Sequence, residues 1–224
     1  MKIRSLKINT SGFDAQVAFY SEVIGLQLIS KKEHEAVFEL GASKLILKRS
    51  KDFQPYHFAI NIPCNMEQEA LIWLKNRVTI LKDGDSEIQN FESWNARAIY
   101  FYDKDGNIVE LIARRNLRNE YQGKFDRNCL LEISEIGIAT DNIKSVYSSL
   151  TKIVTLKKYD GGWERFCALG DENGLFICIN KRLKNWCPTD DKAYSAPFEI
   201  EFQEKGKGYK LGFKNEQIMA INEY

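Results

Sequence analysis

The chain repeats itself. Three segments open with a strand of alternating apolar and polar residues and pass into a helix at the same offset: SLKINTSGFDAQVAFY from Ser5, HFAINIPCNMEQEALIWL from His57 and EIGIATDNIKSVYSSL from Glu135. Such self-similarity limits the fold more than composition does, because each copy is one supersecondary unit that needs a neighbour to bury its apolar face. Within the second strand Phe58, Ile60 and Ile62 point one way, and His57, Ala59 and Asn61 point the other. Each helix carries one apolar stripe: Phe13, Val17, Tyr20 and Ile24; Met66, Ala70 and Trp73; Ile143, Tyr147 and Leu150. Asn65 with Gln68, and Asp141 before Ile143, are the expected helix N-caps, and Gly25 sits where the first helix should end.

Three strand-like runs follow each helix, so every unit reads β-α-β-β-β. They are LQLISKK, EAVFEL and KLILKR in the first copy, VTILKD, RAIYFY and NIVELIA in the second, and VTLKKYD, ERFCAL and LFICIN in the third. A closing piece, FEIEFQEKGKGYKLGF, reads as a hairpin without a helix in front of it, either extra strands or the remnant of a fourth unit. The turn between the last two strands recurs as DKDG from Asp103 and DENG from Asp171, aspartate and glycine supplying the reversal. In that register Glu110 falls opposite Cys178. The stretch RRNLRNEYQGKFDRN, at 114–128, has no periodicity and reads as a surface connector.

Lysine plus arginine (32) balances aspartate plus glutamate (31), which leaves no field to attract nucleic acid or an anionic membrane. No apolar run approaches the roughly 20 residues of a membrane span, and the N-terminus alternates without the apolar stretch of a signal peptide, pointing to a cytoplasmic protein. The five cysteines are scattered without a C-x-x-C pair, against a disulfide framework or structural zinc. With only His34 and His57 in the chain, histidine is the scarce metal ligand. His34 lies in the charged run KKEHEA and is expected at an exposed hairpin turn.

AFYSEVIGLQL after the first strand, HFAINI opening the second unit and AIYFYDKDGNIVELIAR closing it resemble the vicinal oxygen chelate superfamily, which includes glyoxalase I, extradiol dioxygenases, methylmalonyl-CoA epimerase and the bleomycin and fosfomycin resistance proteins. The third unit is similar through EIGIAT and DENGLFICIN. The resemblance implies an α+β fold of repeated βαβββ units curled into cup-shaped mixed sheets. It implies a complete domain at 1–115 built from units at 1–50 and 55–115, a linker at 116–129, and at 130–224 a degenerate third unit with a C-terminal β-hairpin. It also implies metal ligands on the first and last strands of the units. Carried over by position, His57 and Glu110 are the catalytic and metal-binding pair. Ser5 stands at the first unit's histidine position, and Glu135 and Cys178 at the third unit's histidine and glutamate positions.

The expected cofactor is a divalent metal (iron, manganese, nickel or zinc), held with an incomplete ligand set. Without a metal, His57 and Glu110 could instead work as an acid and base pair. Trp94, Asn95, Arg97 and Tyr100 are the candidate substrate contacts, with Ser5 holding a bound water; alternation puts Arg97 and Tyr100 on opposite faces, so they cannot all line one pocket. The expected function is a glyoxalase-like or dioxygenase-like enzyme acting on a small oxygen-rich or aromatic molecule, the alternative being a metal-free sequestering protein of the bleomycin-resistance type. An odd number of units suggests a homodimer formed through 130–224.

Overall fold

The computed structural model describes residues 1–221. The first unit comprises β1 (Lys2–Thr10), α1 (Phe13–Ala18) with a π turn at Phe19–Val23, β2 (Gln27–Lys31), β3 (Glu35–Leu40) and β4 (Ser43–Arg49). The second comprises β5 (His57–Ile62), α2 (Glu67–Lys75), β6 (Ile80–Leu81), β7 (Gln89–Phe91), β8 (Ala96–Tyr102) and β9 (Ile108–Arg114). The third comprises β10 (Glu132–Thr140), α3 (Ile143–Thr151), β11 (Lys158–Gly161), β12 (Phe166–Asp171) and β13 (Gly174–Asn180). The meander β14 (Phe198–Glu204), β15 (Lys207–Lys214) and β16 (Gln217–Ala220) closes the chain.

The strands form two mixed sheets. A nine-stranded sheet runs β11-β12-β13-β10-β5-β9-β8-β6, with β7 also paired to β8, and a seven-stranded sheet runs β16-β15-β14-β1-β4-β3-β2. Units one and two, expected to share a cup within 1–115, therefore lie in different sheets. The second unit joins the third through the antiparallel pair of their first strands, β5 and β10, and the first unit joins the C-terminal meander through β1 and β14. Both junctions carry a register shift at the same place, between Ile133 and Glu135 in β10 and between Ile3 and Ser5 in β1. The closing strands thus act as half of a fourth unit.

The missing fourth helix accounts for one difference between the two junctions. A parallel pair such as β10 and β13 needs a long crossover, whereas a short turn can only return a strand antiparallel. Lys205 and Gly206, both left-handed at φ 48° and 77°, form such a turn and lay β15 antiparallel against β14. With this meander paired to β1, the odd count of units that motivated a homodimer through 130–224 loses its premise.

One apolar core joins the two sheets and all three helices, and it contains Phe13, Val17, Tyr20 and Ile24 of the first stripe. Phe58, Ile60 and Ile62 enter it from β5, as their alternation requires. In the other stripes Leu74 and Val146 are buried, while Trp73 and Tyr147 pack from the margin. The third helix is capped by Asn142, whose side chain accepts from the Ser145 amide, not by Asp141; Met66 precedes the second helix without a side-chain cap. Ser43 stitches the sheets together: its Oγ donates to the Ile3 carbonyl at 2.7 Å and accepts from the Ile133 amide at 3.0 Å. The buried Asp103 turn couples units two and one, accepting from Gln16 at 2.5 Å and the Tyr20 hydroxyl at 2.7 Å. No helix among the described residues is long and apolar enough to cross a membrane.

Candidate metal centre on the nine-stranded sheet

A second, smaller apolar cluster covers the opposite face of the nine-stranded sheet, drawing on Ala59, Ala98, Tyr100, Ile112, Ile177 and Trp186. It surrounds a cavity of about 480 Å³, with His57, Glu110, Glu135 and Tyr100 among the polar residues lining it. In strand register Ala59 pairs with Glu135 of β10 on one side and Glu110 of β9 on the other, and Glu110 pairs with Tyr100 of β8. The small Ala59 side chain leaves the space between the two carboxylates open. His57 lies two residues before Ala59 on the same face, so three potential ligands arise from three adjacent strands. One donor atom from each of His57, Glu110 and Glu135 lies within 4.8 Å of the others, and all three residues are buried.

His57 and Glu110 are spaced for a shared ion. His57 Nδ1 lies 3.2 Å from the Ile108 carbonyl, which fixes the proton on Nδ1 and leaves Nε2 as a lone-pair donor. Nε2 stands 3.6 Å from Glu110 Oε2, too far for a hydrogen bond. That separation suits two ligands of one ion, which at about 2.1 Å each lie no more than about 4.2 Å apart. Burial pushes the His57 pKa down to about 4, opposed by the Ile108 contact. Burial raises Glu110 well above the ordinary carboxylate range, as does neighbouring Glu135, while Arg114 and the Tyr100 hydroxyl pull it down. Glu135 is raised by burial and lowered by Arg114. Two buried carboxylates share a single cation, and a divalent ion would supply the missing positive charge. The donor chemistry therefore fits a first-row divalent metal.

Arg114 belongs to this centre and not to a surface connector, although it opens the basic stretch at 114–128. It ends β9 with its side chain fully buried; Nη2 donates to Glu135, Nε donates to Asn61 at 3.3 Å, and its guanidinium lies 5.4 Å from the Trp94 ring. Nη1 has no hydrogen-bond partner among the described residues. A segment between β13 and β14 forms the opposite wall. There Trp186 packs on His57 with ring centroids 4.9 Å apart, and a Cβ on Gly137 would meet the Trp186 ring at 2.7 Å. Ser195, donating to the Ala139 carbonyl at 2.7 Å, and Asp191, accepting from Tyr102 at 2.5 Å, hold the segment down.

Of the expected substrate contacts, Trp94 and Tyr100 line the cavity. Arg97 does not: it faces α2 and pairs with Glu67 at 3.2 Å, alternation having sent it to the other side from Tyr100. Asn95 is a left-handed turn residue (φ 48°) bonded to Asn116 at 2.9 Å. Ser5 sits in the seven-stranded sheet, between Lys44 and Glu201 of the neighbouring strands, and does not line the cavity. His34 is exposed beside β3, as its charged run suggested.

Cys178 lies in the main core and Ile177 lines the cavity. The turn before β9 occupies 103–107, whereas only Glu172 and Asn173 separate β12 from β13. This difference shifts the third copy by one residue, which exchanges the two faces of the strand. Ile177, two beyond Glu135's partner Leu175, corresponds to Glu110, two beyond His57's partner Ile108.

This architecture defines a class: paired βαβββ units whose sheet curls around a cavity. No protein-family profile matches the chain. It is similar to metallothiol transferase FosB of Staphylococcus epidermidis, 31% identical over 117 residues that cover 49% of this chain and 81% of the relative. It is also similar to catechol-2,3-dioxygenase of Bacillus subtilis strain 168, 26% identical over 144 residues that cover 59% of this chain and 48% of that protein. Its fold matches the solved structure of a candidate dioxygenase from Bacillus subtilis with a TM-score of 0.59 at 12% identity, covering 97% of this chain and 68% of the other. The chain belongs to the vicinal oxygen chelate superfamily.

Proposed function

We propose that this protein is an enzyme of the vicinal oxygen chelate type that holds one divalent metal through His57, Glu110 and Glu135 and acts on a small oxygen-rich or aromatic molecule. One observation carries the reading: donors from β5, β9 and β10 converge within 4.8 Å at the wall of a cavity about 480 Å³ in volume. An imidazole with two carboxylates suits iron(II), manganese(II), nickel(II) or zinc(II). The bound ion would act as a Lewis acid on substrate oxygens. Around it, the Ile108 carbonyl keeps Nε2 of His57 unprotonated, Arg114 orients Glu135, and Trp94 and Trp186 flank an aromatic or apolar body. The catechol dioxygenase likeness makes adjacent diols the first substrates to try.

The test is elemental analysis of protein purified without chelators, before and after incubation with each of the four metals, alongside Glu110→Gln and Glu135→Gln. One equivalent of metal in the wild type, lost in both variants, supports the reading; no metal under any condition overturns it. The sequestering alternative draws on the same aromatic walls, and ligand binding without turnover by the metal-loaded protein would favour it.

A further inference from the structure

The cavity is electrically lopsided. Two of its three carboxylates, Glu110 and Glu135, arise from the central strands, whereas Arg165 and Lys184 contribute two positive charges, against the single carboxylate of Asp160, from the third unit and from the segment after β13. Among the described residues neither cation has an ion-pair partner. Arg165 donates only to the Leu183 carbonyl, at 3.3 Å, while neighbouring Arg182 is taken by Asp141. Asp160 also lines the cavity, but its two oxygens are occupied: Oδ2 accepts from the Trp94 indole at 2.6 Å and Oδ1 from the Gly161 amide at 2.6 Å. Asp190 shares an adjoining hollow with both cations without pairing with either.

We propose that Arg165 and Lys184 bind an anionic group, a carboxylate or phosphate, on a substrate whose other end carries the oxygens directed at His57, Glu110 and Glu135. The substrate class is thus an acid with an aromatic or apolar body, a reading that rests on the metal centre proposed above. The cavity volume of about 480 Å³ falls within the range of sites for small organic molecules. Trp94 and Trp186 offer aromatic surface to the body. A guanidinium and an ammonium at one wall recognise charge by charge-assisted hydrogen bonds, a contact that a neutral analogue cannot make.

The test compares dihydroxyphenylpropionate, its primary amide and dihydroxyphenylethyl phosphate by calorimetry, on metal-loaded and metal-free protein. The proteins are the wild type, Arg165→Gln/Lys184→Gln, and a control of equal net charge, Lys51→Gln/Lys144→Gln, altered at exposed positions outside the cavity. The acid or the phosphate should bind about five- to tenfold tighter than the amide, a modest factor because Arg165 is exposed and screened by salt. That preference should vanish in Arg165→Gln/Lys184→Gln and persist in the control, with amide affinity and metal content unchanged. Whichever anion shows it identifies the group recognised. Equal affinity for anion and amide, a preference that survives in the double variant, or no binding by any of the three overturns the proposal. Metal content separates this from the metal reading: stoichiometric metal without anion preference leaves the centre standing. A preference that depends on Arg165 and Lys184 in protein that takes up no metal removes the centre and keeps the anion site.

Discussion

Glu110 and Glu135 are both register partners of Ala59, one on each side of β5, so two buried carboxylates face each other across a methyl group with Arg114, among the described residues, as their only ion-paired cation. Without a metal this arrangement opposes folding, because burial and mutual repulsion disfavour ionisation of Glu110. Glu110→Gln should therefore stabilise metal-free protein at neutral pH by about 1 kcal/mol, a rise in Tm of about 2–4 °C for a chain of this size. The same substitution should abolish the stabilisation that added metal gives the wild type. Thermal melts with and without metal check both effects, and a Glu110→Gln protein that melts lower than metal-free wild type would count against repulsion at this site.

Arg114 and Glu135 form a buried pair whose halves are unequal in consequence. Arg114→Met leaves a buried carboxylate without its partner and should cost about 3–5 kcal/mol. Arg114→Met/Glu135→Met removes both charges and should recover most of that loss. Urea denaturation of the single and double variants measures the coupling; simple additivity would mean that the pair does not act as a unit.

Asp103 gives a pH dependence outside the metal centre. Burial raises its pKa from 3.8 to about 6, against hydrogen bonds from Asn107, Tyr20 and Gln16 that favour the charged form. A folded-state value above the unfolded one means stability that is present in full below pH 3.8 and lost as pH rises through 6. Relative to Asp103→Asn, the wild type should lose on the order of 2–3 kcal/mol between pH 4 and pH 7. Parallel stability curves for the two proteins across that window would contradict the assignment.

Gly137 is glycine for a reason visible in the cavity: a Cβ there would stand 2.7 Å from the Trp186 ring and 3.1 Å from the His57 carbonyl oxygen. Gly137→Ala should displace the indole from its contact with His57, red-shift tryptophan emission, and cost about 1–3 kcal/mol through overpacking. An unchanged emission spectrum would show that the covering segment is not seated by this contact.

The unit structure and the alternation of each first strand could be read from sequence because they are local, set by periods of 2 and 3.6. That Glu110 faces His57 is implied by the family resemblance, and the register of β5, β9 and β8 brings Tyr100 to the same face. Which units would pair could not be read that way: β5 choosing β10 over β1 is a contact between segments far apart in the chain. Glu135 stands at a ligand position by the family resemblance, yet its place beside Glu110 depends on that pairing. Arg114 looked like the start of a polar connector, since one strand-terminal arginine carries no local sign of burial. Arg165, Lys184 and Trp186 come from a turn and a loop with no periodicity to place them. Arg97 and Asn95 neighbour Trp94 in sequence but do not share its cavity, Arg97 lying on the opposite side of its strand and Asn95 in the turn before it.

The offset between the second and third units is itself testable. Turns of different length put Ile177, not Cys178, at the position corresponding to Glu110, with Ile177 lining the cavity and Cys178 fully buried in the main core. A glutamate at 177 would enter a cavity that already contains His57, Glu110 and Glu135, where an added ion can pair with it. A glutamate at 178 would place an unpaired charge among Cys167, Ile138 and other apolar side chains, at a cost of several kcal/mol. Ile177→Glu should therefore remain folded and gain thermal stability on adding zinc or manganese, whereas Cys178→Glu should lose cooperative unfolding with or without metal. If Cys178→Glu proved the metal-rescued variant, the faces of β13 would have to be exchanged, and the equivalence of Ile177 with Glu110 would fail with them.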